Sequence, residues 1–459
     1  MSTTALPVEV VQPESKIRGR AAVALAVVVS FWALILVDEM VVNISLAQIG
    51  SSLELSQTEL SWVVNAYLLP YGGLLLLGGR LGDILGKRRM FVIGMALYTV
   101  GCLARALAPD AWLLIAARGV QGTGAALATP CVLALIMNLF AEGPLRRKAI
   151  GVYTIAGGAG AAVGLLVAGA LGAFGSWKLQ MLLAGVIGLV LLVLTPSVVG
   201  ETPRVSGRFD ITGALVSTLG LVSLAYGLSA SALPYVVAGI VLLALFFVIT
   251  RRASQPLLDL SLFKSNGGAY LTLALMPGAQ IGLFFFLGQY LQLMSGWTPM
   301  TVALAFLLVS VGMIGAAGPA GKLESRLGGR TIVLGALMLI VANLLLLRVP
   351  SGGSFWTTIL PSLFLVGAGL AFTIIPATIK ATSGVEDSGS GSASSVVNAV
   401  QNVGSSISLA IIIAISTAAA SGVAEESQFT ASMSASFLAG AGFATAIALV
   451  ALLIRSRRA

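Results

Sequence analysis

Fourteen apolar runs divide this chain, and no other feature narrows its fold so far. They lie at roughly 22–48, 60–79, 90–108, 111–140, 149–173, 178–198, 211–229, 233–250, 267–290, 299–320, 330–347, 356–379, 394–420 and 434–454. Each is close to the roughly 20 residues that a helix needs to cross a bilayer. The chain is 58% hydrophobic and 9% charged. Soluble domains sit nearer 45–50% apolar and about 25% charged, so lipid must be the solvent for most of this surface. Its 54 glycines suit helices held together by close packing rather than by a hydrophobic effect that lipid abolishes.

The charges order these runs. With the N-terminus inside, the inner segments hold 22 of the 26 bases: Lys16, Arg18, Arg20, Arg80, Lys87–Arg89, Arg146–Lys148, Arg204, Arg208, Arg251, Arg252, Lys264, Lys322, Arg326, Arg330, Lys380, Arg455, Arg457 and Arg458. Arg105, Lys178 and Arg348 fall outside, and Arg118 falls within a span. The net charge of +9 therefore reads as a positive-inside bias rather than a nucleic-acid surface. Residues 1–20 and 456–459 read as cytoplasmic tails, and the first apolar run is too long for a cleaved signal peptide. Cys102 and Cys131 lie in apolar runs and read as small buried side chains. With no histidine, any proton relay must use carboxylates.

A charged, glycine-rich loop, Gly79–Arg89, follows span 2. A looser echo, Gly321–Arg330, follows span 10 about 240 residues later. The repetition indicates two related six-span halves, 21–200 and 256–455, with a linker and a two-span hairpin inserted at 201–255. In the first loop, Asp83 can accept N–H bonds at the positive end of a neighbouring helix. Lys87, Arg88 and Arg89 can pair with acids of the other half. The loop is then a conformational latch formed by Gly79, Asp83, Gly86 and the three bases, or a set of charges that only fixes topology.

Charges inside spans carry the functional reading. A carboxylate at mid-bilayer costs about 2.5–3.5 kcal/mol on insertion scales, yet Asp38 and Glu39 stand side by side in span 1. Adjacent helical residues diverge by about 100°, so the two could line one broad cavity but not one narrow seam. They read as protonatable sites or anchors for a cation; the alternative is a structural acid paired with arginine or capping a broken helix. Arg118 in span 4 needs a protein or water partner, either for proton coupling or for a structural ion pair. Asn43, Asn65, Tyr67, Gln121, Asn398, Gln401 and Asn402 are candidate linings of an aqueous path, or polar glue between helices. In span 5, Gly160 and Gly164 share a face and, with Gly169, make a hinge or a tight seam. The sequence holds no Walker A motif, zinc spacing or catalytic triad, so the energy source is an ion gradient or the gradient of the substrate itself.

These motifs resemble the major facilitator superfamily, and within it the fourteen-span drug:proton antiporters. The resemblance covers almost the whole chain. The loop Gly79–Arg89 resembles the signature between spans 2 and 3, and Arg118–Gly122 that of span 4. Asp38 with Val42-Asn43, and Trp62–Leu68, resemble patterns of the fourteen-span group. The resemblance implies an all-α fold of two six-helix bundles plus a hairpin, with inverted repeats and alternating access. It implies a plasma-membrane exporter, monomeric, of bacterial type, without cofactor, metal or enzymatic activity. Such a protein exchanges lipophilic, cationic or zwitterionic compounds for protons, with Arg118 in proton coupling. Departures accompany it. The span 5 antiporter signature has Pro where Leu165 stands and Gly where Ala168 stands. Family members have Pro at the position of Ala47 and a polar residue at that of Met40. Ser325 replaces an Asp in the echo loop, and Glu39 is an additional acid. A narrow-range metabolite exporter or symporter, and a lipid translocase on the same scaffold, are the alternatives.

Overall fold

The computed structural model describes residues 17, 19–140, 143–173, 176–202, 211–252, 261–350, 352–383 and 390–453. Of the expected tails, 1–20 and 456–459, residues 1–16, 18 and 456–459 lie outside these residues, as do the segment carrying Arg204 and Arg208 and the side chain of Lys264, while Gly19 and Arg20 already belong to the first helix. Every regular element among the described residues is helical.

The first half contains α1 (Gly19–Ser52), α2 (Gln57–Leu85), α3 (Lys87–Ala106), α4 (Ala111–Leu139), α5 (Pro144–Gly172) and α6 (Trp177–Val198). The hairpin is α7 (Ile211–Ser229) and α8 (Leu233–Arg252). Span 9 is built from α9 (Ser261–Leu275), α10 (Gly278–Gly282), a π-helical turn at Leu283–Leu287 and α11 (Gly288–Leu293). It breaks at Pro277, which has no N–H to donate and clashes with the preceding turn. Then come α12 (Pro299–Leu327), α13 (Arg330–Leu346), a π-helical turn at Phe355–Ile359 leading into α14 (Leu360–Thr382), α15 (Ser390–Ala420) and α16 (Glu425–Leu453). Thirteen of these spans are long and apolar enough to cross a membrane. The fourteenth, α13, has 17 residues, or about 25 Å at 1.5 Å per residue. Arg330 and Arg348 flank it and can snorkel to the interfaces.

Local chemistry sets the helix ends. Ser56 and Glu59 form a reciprocal capping box at the start of α2, satisfying donors that the first turn leaves free. Asp110 accepts from the Leu113 N–H at 2.9 Å to start α4. Thr298 caps α12, where Pro299 occupies the first turn at no cost in hydrogen bonds.

The two halves repeat in three dimensions. A Cβ on Gly122 of α4 would strike the Tyr67 carbonyl of α2, and one on Gly124 would strike Gly94 and Tyr98 of α3. In the second half, Gly367 of α14 meets the Val309 carbonyl of α12, and Gly369 meets Gly335 of α13. One Gly-x-Gly thus admits two neighbouring backbones in each half. The separations from Tyr67 to Val309, from Gly79 to Gly321 and from Gly86 to Gly328 are the same in sequence. Gly86 and Gly328 both turn the chain at positive φ, 103° and 55°, which glycine adopts without a Cβ penalty.

The halves meet along three seams. Gly172 of α5 rests on Pro299, and Gly169 packs on Met300 and Ala303 of α12. Gln292 of α11 donates to the Ile44 carbonyl of α1 at 3.0 Å, and Gln57 donates to Gln289 at 3.2 Å. On the third seam, Ser406 of α15 donates to Asn65 of α2 at 2.8 Å. The first two seams lie at the end of the molecule opposite Arg80, Lys87–Arg89 and Arg146–Lys148. Towards that basic end, Gly151 of α5 and Gly315, Gly318 and Gly321 of α12 face open space. In the hairpin, α7 lies on α2 and α15 while α8 lies on α7. Thr218 of α7 fills the space over Gly73, and Tyr226 lies against Trp62.

Candidate functional site

A charge network is enclosed where α1, α3 and α4 meet. Residues 31, 34, 35, 38, 41 and 42 form the inward stripe of α1 and are all buried. That stripe carries Asp38, 3% exposed, into the first half. Arg105 of α3, fully buried, donates to Asp38 Oδ1. Gln121 of α4 donates to Oδ2 at 2.7 Å, and Arg118 Nη1 lies 3.7 Å from the same oxygen. Arg118 donates from Nε to the Val63 carbonyl at 2.8 Å and from Nη1 to Gln121 Oε1 at 2.9 Å. Its guanidinium also covers the Tyr67 ring, 4.3 Å from the centroid, a favourable cation–π placement. Cys102 turns its sulfur to Arg105 and Gln121. Both cysteines are buried and free. A buried arginine or carboxylate is tolerated when its charge is paired and its hydrogen-bonding groups are engaged, and this network does that for Asp38.

Arg105 corrects the sequence reading, which assigns it to an outer loop. It sits in the last turn of α3 and is the direct partner of Asp38. Its signal is in the sequence: a base inside an apolar run, one turn after Cys102.

Glu39 goes elsewhere. It is half-buried, and no described residue donates a hydrogen bond to its carboxylate. The charged groups in electrostatic range are Asp38 and Arg118, with the hydroxyls of Tyr67 and Tyr71 beside them. From Phe31 to Gly50 no residue of α1 is exposed to the surroundings. Trp32 and Asn43 share the stripe of Glu39 at helical spacing and are likewise half-buried. Trp32 stacks on Tyr153 of α5 with centroids 5.5 Å apart, and Asn43 donates to the Glu39 carbonyl at 2.9 Å.

The remaining candidates divide by place. Tyr67 and Gln121 are enclosed with Arg118, and Asn65 is enclosed in the α2–α15 seam. On α15, Asn398 is exposed while Gln401 and Asn402 are half-buried. In α5, a Cβ on Gly164 would come within 2.8 Å of the Val37 Cα, and one on Gly160 within 3.2 Å of the Leu36 Cβ. Leu165, where the antiporter signature has proline, is buried, and α5 is unbroken from Pro144 to Gly172.

At the basic end, Asp83 pairs with Lys87 at 3.6 Å. Arg88 pairs with Glu201 and donates to the Pro196 carbonyl at 2.9 Å. The Lys87 N–H donates to Thr202 at 2.8 Å. Gly79 rests on Pro130 of α4, and Arg89 is exposed. Among the described residues, Asp83, Lys87 and Arg88 thus bond to each other, to the first half and to the start of the linker that follows it. Among the described residues, no acid of the other half pairs with Asp83's neighbours Lys87 and Arg88.

Fourteen apolar helices in two matched halves, in contact at one end and holding a charge network behind the space between them, define a membrane transporter. The model of the Major Facilitator Superfamily matches residues 24–409, and the chain belongs to that family. It is 34% identical to the puromycin resistance protein pur8 of Streptomyces alboniger, over 83% of this chain and 79% of that one. It is 34% identical to the multidrug efflux pump LfrA of Mycolicibacterium smegmatis, over 82% and 77%. It is 33% identical to the cephamycin export protein CmcT of Amycolatopsis lactamdurans, over 84% and 82%. Among solved structures, a bacterial homolog of the human lysosomal transporter Spinster shares the fold, with a TM-score of 0.68 at 15% identity over 97% of this chain and 100% of that one. A POT peptide transporter gives 0.69 at 17% identity over 95% of both chains. The protein is therefore a multi-span membrane transporter of the major facilitator fold, related to drug and antibiotic efflux proteins, and not an enzyme.

Proposed function

We propose that the protein is a plasma-membrane exporter, both termini cytoplasmic, that exchanges lipophilic cationic or zwitterionic compounds for protons by alternating access. It works as a monomer and draws on the proton gradient without a cofactor. The observation that carries this reading is the pair of acids at the middle of α1. One is held among two arginines, and the other is half-buried with no donor to its carboxylate among the described residues. Buried charge of this kind is costly in lipid and marks ion or substrate pathways. The basic end takes the cytoplasmic side under the positive-inside rule, so the closed seam at Gly172 and Pro299 lies outside and the conformation faces inward. In that state the Asp83 loop is released from the other half. In the outward state it latches the inner side shut. The relatives support export: their names include puromycin resistance, cephamycin export and multidrug efflux.

The unbroken α5 favours one second reading, a symporter or a narrow-range metabolite exporter, because its proline-free seam departs from the antiporter signature. Inside-out vesicles carrying an imposed pH gradient separate the two. Addition of lipophilic cations or antibiotics should collapse the gradient, and a variant lacking both Asp38 and Glu39 should abolish the response. A gradient unmoved by every compound, with folded protein in the membrane, removes proton antiport of drugs. A response confined to one metabolite establishes the second reading.

A further inference from the structure

We propose that the end of the molecule opposite the basic one carries a second binding site, apart from the charge network, for a small hydroxylated primary ammonium of the amino-sugar kind, and that this ligand clasps the two halves together. The site stands on its own geometry; its effect on transport rests on the exporter reading.

The cavity lies where the start of α2 meets the end of α15 and the start of α16. Its volume is about 350 Å³, within the ~300–1,000 Å³ usual for small-molecule sites. One wall, at Ser56–Thr58, belongs to the first half; the other is made by side chains of α15 and α16 in the second half. Each wall carries a buried polar atom that nothing satisfies. Ser416 of α15 is 1% exposed, and its hydroxyl has no partner among the described residues. A serine in a helix commonly bonds back to a carbonyl of the preceding turn, as Ser362 does to Thr358 at 2.6 Å; Ser416 does not. Across the cavity, Gln57 donates to Gln289 at 3.2 Å, but its side-chain oxygen is buried and accepts from no described residue. Unpaired buried polar groups are costly, and a ligand between these walls can pair one from each half.

Charge and shape name the ligand. Glu425 of α16 is the one ionisable side chain among the lining residues. Ser56 and Glu59 already cap the first turn of α2, so its N–H groups make no demand for an anion. The last-turn carbonyls of α15 carry partial negative charge that favours a cation. The free oxygen of Gln57 can only accept, and an ammonium brings three N–H donors and no acceptor. Most of the remaining lining is hydroxyl and amide, and the only large apolar side chains are Ile413 and Phe429. That surface suits a hydroxylated ligand with one apolar C–H face set against the half-buried Phe429 ring. It does not suit the lipophilic compounds proposed for export.

A ligand bonded to Gln57 and Ser416 at once is held only while the two halves are together at this end. By linkage it favours the arrangement that it binds. Under the exporter reading that arrangement faces inward, so a ligand arriving from outside slows opening to the outside and brakes export.

The test titrates purified full-length protein in detergent with glucosamine and with glucose by ligand-observed NMR. Glucosamine should bind about two- to fivefold more tightly than glucose, the range of an exposed ion pair. Glu425→Gln should bring glucosamine down to the level of glucose. Ser416→Ala and Gln57→Ala should each weaken glucosamine about tenfold, as expected for a hydrogen bond to a charged group. Thermal unfolding shows that each variant is folded; Glu425 is exposed at a helix start, so its variant decides the charge even if a wall variant fails to fold. No binding of glucosamine, equal binding of both sugars by wild type, or unweakened binding in folded Ser416→Ala and Gln57→Ala overturns the site. In right-side-out vesicles loaded with a fluorescent lipophilic cation, glucosamine outside should slow efflux by wild type and not by Ser416→Ala. Undiminished efflux with the site saturated overturns the brake. Vesicles that export no compound overturn the exporter reading and the brake with it, while the titration decides the site by itself.

Discussion

Arg105 shows how strongly one side chain depends on its setting. In sequence it is a base near the end of an apolar run; in the fold it is the buried partner of Asp38. Arg105→Gln leaves Asp38 with Gln121 and a more distant Arg118. Removing one partner of a buried ion pair typically costs about 3–5 kcal/mol, so a clear drop in thermal unfolding temperature is expected. Adding Asp38→Asn should recover part of that loss. A double variant whose loss equals the sum of the two single losses would show that the two charges are not coupled. The acids of α1 were legible as functional candidates because charge in an apolar run is conspicuous. Which acid faces which way was not, because a helix embedded on all sides carries little polar–apolar asymmetry in its sequence.

Among the elements, α5 is the most exacting, and its glycines are not equivalent. Gly164 has no room for a side chain against Val37 and Met40, and Gly169 none against Met300 and Ala303, whereas Gly151 stands in open space. Gly164→Val should destabilise the protein by about 1–3 kcal/mol through overpacking of the α1 seam. Gly151→Ala should be neutral, or stabilise by about 0.5–1 kcal/mol, as expected for removing a mid-helix glycine. Thermal unfolding of the two purified variants measures both; a tolerated Gly164→Val would show that this seam yields. The Gly-x-Gly pairs at Gly122/Gly124 and Gly367/Gly369 follow the same logic, each admitting two backbones in its own half.

At the scale of the molecule, the two halves touch at the end opposite the basic one and part towards the basic end, and transport under the proposed cycle requires that contact to open. Gln57→Cys combined with Gln289→Cys places two thiols across the α2–α11 seam, where the native side chains meet at 3.2 Å, in a chain whose own cysteines are buried and free. Oxidation should cross-link them and stop export, and reductant should restore it. Export that persists in the cross-linked protein would remove this seam from the transport cycle.

The number of spans, their order and the duplicated halves were all decided by the linear pattern. Lipid demands long apolar segments and short charged loops, and both survive as one-dimensional signals. The echo of Gly79–Arg89 at Gly321–Arg330 already marked the repeat that the paired Gly-x-Gly contacts display. The pairing of Arg105 with Asp38, the separation of Glu39 from that pair, and the bonding of Arg88 to Glu201 at the start of the linker were decided only by tertiary packing. Each depends on the rotation of one helix against another. In a helix that is apolar on every side, that rotation is set by the neighbours it packs against and leaves no periodic trace in the sequence.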